Sequence, residues 1–443
     1  MESKTIAYSK VTSDKSSDKA LARAIKKHIH GRSHELWLIP PPGMAAICRQ
    51  ELEEIWPRLL LPGSPQPELS QNQDAVQVSS LSFRQIYELN ERLQTVRDIY
   101  WLVRQTKVKS HADLYKFIEQ TRWDLLFPAD HACRIDFRSF GSRLYHEASI
   151  KQAIAERLSA KGLRLVDQAE QATRLRFYLK DDRLHLLAAL NSQAHYQRGL
   201  RKSFQVKAPL AEHYAASLIH WYGAHMREHG RKIPSQLYVP FAGSGTLAFE
   251  YFTWYYGLAP SLLQRKACCE SWLCAPQASI SYLRQQLEEH SIMRGASPLV
   301  LRFCERNAPQ AAELQQNIDH LTQIMQVSSW QKIWQDMRIE AFTGDMFFDD
   351  ATNWYVDQPL AVLLNPPYGL RLGEEKEAAR LYRRIGQRLK TLAMRVSELS
   401  GWILVPNELS FHELQAALGS SLTAVLSFNQ GGQHIRAVQF FLA

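Results

Sequence analysis

From about residue 205 the apolar positions of this chain settle into a repeating rhythm of short apolar runs and longer, helically periodic stretches. "QLYV" is followed by "PFAGSGT" and a helix-like stretch through about Tyr256. "PLVLRF" is followed by "APQAAELQQNIDHLTQIM", in which Leu314, Ile318, Leu321 and Met325 share one helical face. "IEAFTGD" supplies a third strand. "LAVLLNPPY" supplies a fourth, a continuous apolar run of the kind found where a parallel sheet is covered on both faces. A helix near 374–397, the strand "WILVPN" and a closing "AVLSF…AVQFFL" hairpin complete the pattern. The alternation predicts an open, doubly wound α/β sheet.

Residues 35 to about 200 have a different texture. "ELWLIPPPGMAAICRQELEEIW" reads as strand, Pro/Gly turn and amphipathic helix, and "PRLLLPGSPQPELSQNQD" as a loop. "SFRQIYELNERLQTVRDIYWLV" has helix then strand character, "SHADLYKFIEQTRWDLLF" is helical, and "ACRIDFRSFGSRLYHEASIKQAIAERLSAKG" runs strand, turn, helix. "RLRFYLKDDRLHLLAAL" places two apolar runs around Lys180-Asp181-Asp182, a hairpin signature. This half is α+β, built from short strands and helices.

In an open α/β sheet, ligands bind beyond the carboxyl ends of the strands. Chemistry-bearing residues fall at those ends here. "FAGSGT" puts Gly243 and Gly245 in a tight strand-to-helix turn, where missing side chains let a ligand approach the backbone. No Gly-Lys-Ser/Thr follows, so it is not a P-loop, and the third glycine of the dinucleotide fingerprint is absent. Glu305 ends the second strand, where a carboxylate can accept from a ribose diol. Asp345 follows the third, placed to accept from an exocyclic adenine amine. Taken in order, these predict a nucleoside-containing cofactor.

The most specific stretch is Asn365-Pro366-Pro367-Tyr368, directly behind the fourth strand. Two prolines remove two backbone donors and stiffen the corner. The Asn365 side-chain carbonyl and the Pro366 main-chain carbonyl remain as acceptors, with the Tyr368 ring beside them. That set suits a planar base with an exocyclic amine: the carbonyls take its N–H bonds while the ring stacks. Accepting both protons turns the nitrogen lone pair outward, so positioning does the work and neither a metal nor a covalent nucleophile is required.

Charge adds an anionic partner to the picture. The net charge is +9, and residues 1–34 alone carry eight Lys or Arg against three acids. This basic leader is expected to be flexible, and Arg198 and Arg201 in "YQRGLRK" are candidate phosphate contacts. Six scattered cysteines lack any CxxC pair, which favours buried thiols over a metal site. The cluster of His28, His30 and His34 adds polarity to the leader. No signal peptide is visible, and the longest apolar stretch, "YFTWYYGLAPSLL", is interrupted by Gly257 and Pro260. The expectation is a cytoplasmic protein with no membrane partner.

"VPFAGSGTLAFE" and "NPPYGLRLG" resemble the cofactor and catalytic motifs of the THUMP-domain RNA guanine-N2 methyltransferases, class I S-adenosylmethionine-dependent enzymes. "PPGMAAICRQEL", "RDIYWLV", "LYKFIEQTRWDLLF", "AHYQRGLR", "KAPLAEHYAASLI", "LAPSL" with Trp272, and "ERNAPQAAELQQN" are similar to further stretches of that family. The resemblance implies a Rossmann-like doubly wound methyltransferase domain over 201–443. It would be preceded by a leader (1–34), a ferredoxin-like segment (35–80) and a THUMP-like RNA-binding domain (81–200). It implies S-adenosyl-L-methionine held by Pro240, Phe241, Ala242, Gly243, Gly245, Thr246, Glu305, Asp345 and Asn365, with Asn317 at the end of the second motif's helix. It implies catalysis by Asn365, Pro366, Pro367 and Tyr368 on structured RNA, with ribosomal RNA preferred over transfer RNA.

This sequence departs from the family at Val239, where Asp is usual, at Glu305, where Asp is usual, and in the closing loop "FNQGGQHIRAVQF". Asn-Pro-Pro-Tyr is shared with adenine-N6 enzymes. Three readings follow: methylation of guanine N2 in RNA, methylation of adenine N6 in DNA or RNA, and a silent RNA-binding protein on a methyltransferase scaffold.

Overall fold

The structure, a computed structural model, describes residues 15–60, 68–71, 75–168, 171–202, 210–259, 267–289, 293–295, 297–348, 358–368 and 375–442. Residues 1–14 of the leader, most of the Pro/Ser-rich loop after Arg58, Lys207 and Ala208 of the junction, and Gly369–Gly373 lie outside them.

The first sheet is built from β1 (His34–Ile39), β2 (Leu69–Gln71), β3 (Val76–Leu81), β4 (Asp98–Lys107), β5 (Ala132–Phe140), β6 (Arg164–Leu165), β7 (Thr173–Lys180) and β8 (Arg183–Ala189). Its order is β2-β3-β1-β4-β8-β7-β5-β6. β1 runs antiparallel to both β3 and β4, whereas β5 lies parallel to β7. The alternation along β7 explains its seat: Leu175, Phe177 and Leu179 are buried, and Arg174, Arg176 and Tyr178 face the other way. The turn between β7 and β8 has Asp181 and Asp182 both at positive φ, 49° and 58°. That is the primed hairpin turn whose twist matches its strands, and aspartate tolerates it. Helices cover one face of this sheet. The helix Phe83–Arg92 starts at a capping box, in which the Gln85 amide donates to Ser82 Oγ and the Ser82 amide donates to Gln85 Oε1 at 2.9 Å.

Two sequence expectations change here. The boundary drawn between residues 80 and 81 falls inside β3, and β1 pairs with β4, so both N-terminal segments share one sheet. The leader is helical from Lys15 to Ile25 and continues through His30, with Ile25 and Ile29 buried in the core. Four-residue spacing puts those two isoleucines on one face, and burying them holds the segment down.

The second sheet contains β9 (Gln236–Pro240), β10 (Val300–Glu305), β11 (Arg338–Thr343), β12 (Leu360–Leu364), β13 (Leu399–Val405), β14 (Leu422–Gln430) and β15 (Gln433–Leu442). The order is β11-β10-β9-β12-β13-β15-β14, parallel except for the closing β14–β15 hairpin. Every residue of β12 is buried. Ala361 and Leu363 join one core and Leu360, Val362 and Leu364 the other, so its unbroken apolar run serves two layers. This is the doubly wound, Rossmann-like arrangement expected. Strand order reverses between β9 and β12, which opens a crevice at their carboxyl ends.

Residues 267–289 make an excursion. Although they connect elements of the second sheet, Cys269, Trp272, Cys274, Ile280 and Leu283 belong to the core beneath the first. The Cys269 amide donates to Leu190 O at 3.1 Å, the Tyr87 hydroxyl to Cys269 O at 2.9 Å, and Trp272 Nε1 to Thr173 Oγ1 at 2.9 Å. All six cysteines are buried, and burial pushes the Cys133 and Cys274 thiols up to about 12. His30 Nε2 meets Cys274 O at 2.8 Å and His34 Nε2 meets Ile29 O at 2.9 Å, so these histidines tie the leader to the core.

Candidate active site

The carboxyl ends of four adjacent strands carry the residues singled out above. Cys304 on β10 aligns with Pro240 on β9, and Glu305 with Thr343 on β11. Val362 on β12 aligns with Tyr238 on β9. Continuing that register sets Asn365 level with Phe241, directly across the switch point.

The turn after β9 is held in a demanding shape. Phe241, Gly243 and Gly245 all have positive φ, at 59°, 53° and 88°. The two glycines do different jobs. A Cβ on Gly243 would meet nothing within 4 Å, so that side of the backbone is open to a ligand. A Cβ on Gly245 would lie 2.8 Å from Leu314 Cδ1 and 2.9 Å from Phe249 Cζ, so its bareness serves packing against the helix Ala308–Gln326. Phe241 is the residue that sequence reasoning gave no special backbone; non-glycine residues at positive φ store strain and cluster at ligand clamps.

Glu305 closes the turn. Its Oε2 accepts from the Gly243 amide and its Oε1 from the Asn307 amide, both at 2.9 Å, and the residue is buried. One carboxylate therefore ties the glycine turn to the end of the neighbouring strand. Asn317 braces the same turn from its helix: Nδ2 donates to Ser244 O at 3.1 Å while Oδ1 accepts from the Lys202 amide at 2.9 Å. Asp345 is half-buried; its Oδ1 accepts from the Phe347 amide at 3.1 Å, and Arg306 lies 3.8 Å from Oδ2. Val239 is fully buried in the apolar core. The open flank at Gly243, the Glu305 carboxylate beside it and Asp345 one strand over fit a nucleoside group lying across these strand ends.

Asn365 and Tyr368 meet within the corner behind β12. The Tyr368 hydroxyl donates to Asn365 Oδ1 at 3.0 Å, and burial raises the tyrosine well above its ordinary range, so it stays a donor. Pro366 is buried and Pro367 exposed.

Arg198 and Arg201 are corrected by their burial. Arg198 is 1% exposed and pairs with buried Glu250, donating also to Gln94 O at 3.2 Å. Desolvation holds the Glu250 carboxyl up to about 7 despite that pairing. Arg201 pairs with Glu212 at 2.9 Å and donates to Ser244 Oγ at 2.8 Å and Thr246 Oγ1 at 2.9 Å. Neither guanidinium is placed to meet a phosphate from solvent; Arg201 instead supports the glycine turn from beneath.

Residues 198–417 match the family model described as the UPF0020, RMKL-like methyltransferase domain. This chain carries an RMKL-like methyltransferase domain. It is 25% identical over 376 residues, 81% of its length and 47% of the relative's, to "Ribosomal RNA large subunit methyltransferase K/L" of Pseudomonas entomophila (strain L48). The chain thus spans about half the length of the curated relatives it matches. Two solved structures share the fold. A protein described as "a predicted N6-adenine-specific DNA methylase" from Listeria monocytogenes superposes with a TM-score of 0.69 at 20% identity, covering 93% of this chain and 96% of that one. SMU.472, crystallised "complexed with SAH", superposes with a TM-score of 0.68 at 17% identity, covering 92% and 98%. The strand-end residues described above all lie inside the RMKL-like domain. Among the described residues, no helix is long and apolar enough to cross a membrane.

Proposed function

We propose that the protein transfers a methyl group from S-adenosyl-L-methionine to an exocyclic base amine in structured RNA, with guanine N2 of ribosomal RNA as the target. The observation that carries this reading is the Asn365–Tyr368 corner standing level with the glycine turn across the switch point. Pro240–Thr246, Glu305 and Asp345 hold the cofactor, with Glu305 at the ribose and Asp345 toward the adenine. When bound, the cofactor supplies an electrophilic methyl group on a sulfonium.

The chain's own residues prepare the nucleophile. Asn365 Oδ1 and the Pro366 carbonyl accept the two N–H bonds of the amine, and the Tyr368 ring stacks on the base. A base in a helix cannot reach this corner, so it enters flipped out of its stack. The name of the Pseudomonas relatives supports ribosomal RNA, the SAH bound to SMU.472, the demethylated form of the cofactor, supports the cofactor, and the net positive charge supports an RNA partner. A ribosomal RNA substrate would put its site of action in the cytoplasm.

Adenine N6 is the second reading, because the same acceptors serve any exocyclic amine and one neighbour of the fold bears that name. Nucleoside mass spectrometry of ribosomal RNA from cells lacking the protein, and of that RNA after incubation with the purified protein and cofactor, decides between them. Restored N2-methylguanosine is the expected result. N6-methyladenosine replaces the target base, and cofactor binding without transfer leaves a silent scaffold.

A further inference from the structure

The helix Glu212–Glu228 runs out into "HMREHG", a stretch that takes no part in the site behind β9 and β12. His225, Glu228 and His229 stand at i, i+3 and i+4, a spacing that gathers three side chains on one face of the last turn. One nitrogen or carboxylate oxygen from each lies within 4.8 Å of those of the other two. The two imidazole centroids are 4.2 Å apart. His225 is half-buried, while Glu228 and His229 are exposed. Among the described residues, no other group of three histidine, cysteine or acidic side chains converges in this way.

The rings are prepared for a ligand bond. His229 Nδ1 lies 2.9 Å from the His225 main-chain carbonyl. A carbonyl oxygen only accepts, so Nδ1 carries the proton and Nε2 keeps its lone pair. Ligating histidines are commonly held in tautomer and orientation by such a bond from the other ring nitrogen. Burial first, then the His229 ring and Arg231, hold the His225 ring below its usual range against the pull of Glu228, so it too offers a neutral nitrogen. The Glu228 carboxylate forms no ion pair among the described residues. Neighbouring cations are engaged elsewhere: Arg227 reaches Glu54 at 3.2 Å, and Arg231 lies over the Phe441 ring. The carbonyl end of the helix adds partial negative charge, which favours a cation.

We propose that His225, Glu228 and His229 bind a zinc ion, with two imidazoles and one carboxylate oxygen as protein ligands and water in the fourth position. The donor set selects the class of metal. Two imidazoles disfavour calcium and magnesium, which take oxygen ligands, and no thiolate is present to favour copper(I). All six cysteines are buried, so they do not compete for the ion. Arg231 stands two residues beyond the cluster, and the Phe441 beneath it pairs with Ser400 at the start of β13. The ion therefore sits at the amino edge of the second sheet, the length of β9 away from the glycine turn, about 17 Å. It touches no reacting atom. It clamps the last turn of a helix that joins the two halves through Arg227 on Glu54 and through His220 Nε2, 3.1 Å from Gln94 Oε1.

The test is calorimetric titration of the full chain with zinc chloride. One ion per chain should bind. His225→Gln and His229→Gln should each weaken that binding at least about tenfold, since losing a ligand costs no less than losing the group that orients it. Glu228→Gln keeps the shape and removes the charge, so it should fall between wild type and the histidine variants. Circular dichroism melts establish that the variants are folded, and His229, being exposed, gives the one least able to disturb the core. Hydrogen exchange read by mass spectrometry locates the ion: zinc should slow the amides of residues 226–231 in wild type and leave them unchanged in His229→Gln. No zinc binding, or unchanged affinity in the folded His229→Gln protein, overturns the site. So does protection confined to another part of the chain, or equally tight binding of magnesium. S-adenosylmethionine affinity should be the same in wild type and His229→Gln, and its loss in the variant would overturn the assignment of the ion to a remote clamp.

Discussion

The Tyr368 hydroxyl sits on the one side-chain acceptor that the Asn365 corner offers, at 3.0 Å from Oδ1. On the proposed reading, an incoming amine would share or displace that bond, which holds the free corner in shape. Asn365→Ala should lower single-turnover methyl transfer about a hundredfold, since one transition-state hydrogen bond in a dry site is worth about 3 kcal/mol. Tyr368→Phe keeps the ring and frees Oδ1, and its rate should stay within about fivefold of wild type, the worth of one neutral hydrogen bond. Tyr368→Ala should raise KM sharply. Normal transfer by Asn365→Ala reduces the corner to a strand terminator.

Gly243 and Gly245 should separate binding from folding. Gly243→Ala faces open space, so the cost is the left-handed backbone alone, about 1–2 kcal/mol, but the methyl group lies where a ligand would approach. Gly245→Ala adds overlap with Leu314 and Phe249, costing about 1–3 kcal/mol more. Calorimetry should find cofactor affinity lost in Gly243→Ala at a modest fall in Tm, and the larger fall in Tm for Gly245→Ala. The reverse order would show that Gly243 is not beside the cofactor.

Removing the Glu305 carboxylate leaves the Gly243 and Asn307 amides without their acceptor. Glu305→Ala should weaken cofactor binding by about 1.5–3 kcal/mol, the range for a hydrogen bond to a charged group. Glu305→Gln keeps one acceptor oxygen and should fall between. Equal calorimetric affinity in all three proteins would place the ribose elsewhere.

Arg201→Ala should behave as a core lesion. It strands the buried Glu212 carboxylate, a loss of about 3–5 kcal/mol, and removes two donors from the glycine turn. Denaturant titration should show the full cost at any salt concentration. An Arg201→Ala protein of normal stability with weakened, salt-dependent RNA binding would restore the phosphate contact that its burial argues against.

Acid should unfold the protein partly through His213. Burial first, then Arg198 and Arg97, hold its folded pKa down to about 3, so the neutral ring is favoured in the native state. The stability this supplies is complete above pH 6.5 and is lost as pH falls from there toward 3, by about 2 kcal/mol at pH 5. His213→Phe keeps the stack on Tyr196 (4.3 Å between centroids) and removes the titration. Melts between pH 7 and 5 should show a shallower slope for the variant; identical slopes would assign the acid sensitivity to other groups.

The elements that local pattern alone decides were legible in the sequence. β12 reads as a doubly covered strand because nothing but apolar side chains can occupy it, and Asp181-Asp182 reads as a turn because few other pairs accept two positive φ angles. Asn365–Tyr368 was legible because proline chemistry is local. Arg198 and Arg201 misled because "YQRGLRK" looks like a solvated basic cluster; their burial is decided by Glu250, 52 residues on, and by Glu212 and the glycine turn. Ile25 and Ile29 carried a readable signal in their spacing. The strained backbone of Phe241 left none, since it is imposed by the turn around it.

The excursion of residues 267–289 limits how this chain can be taken apart. Cutting near residue 200 would free an N-terminal piece missing the side chains of Trp272, Ile280 and Leu283, and so exposing the apolar floor they cover. Neither half owns a finished interior; each lends the other a wall. Divided genes, swapped modules and isolated fragments should therefore give insoluble products, and a protease nick between the halves should leave the pieces clasped together.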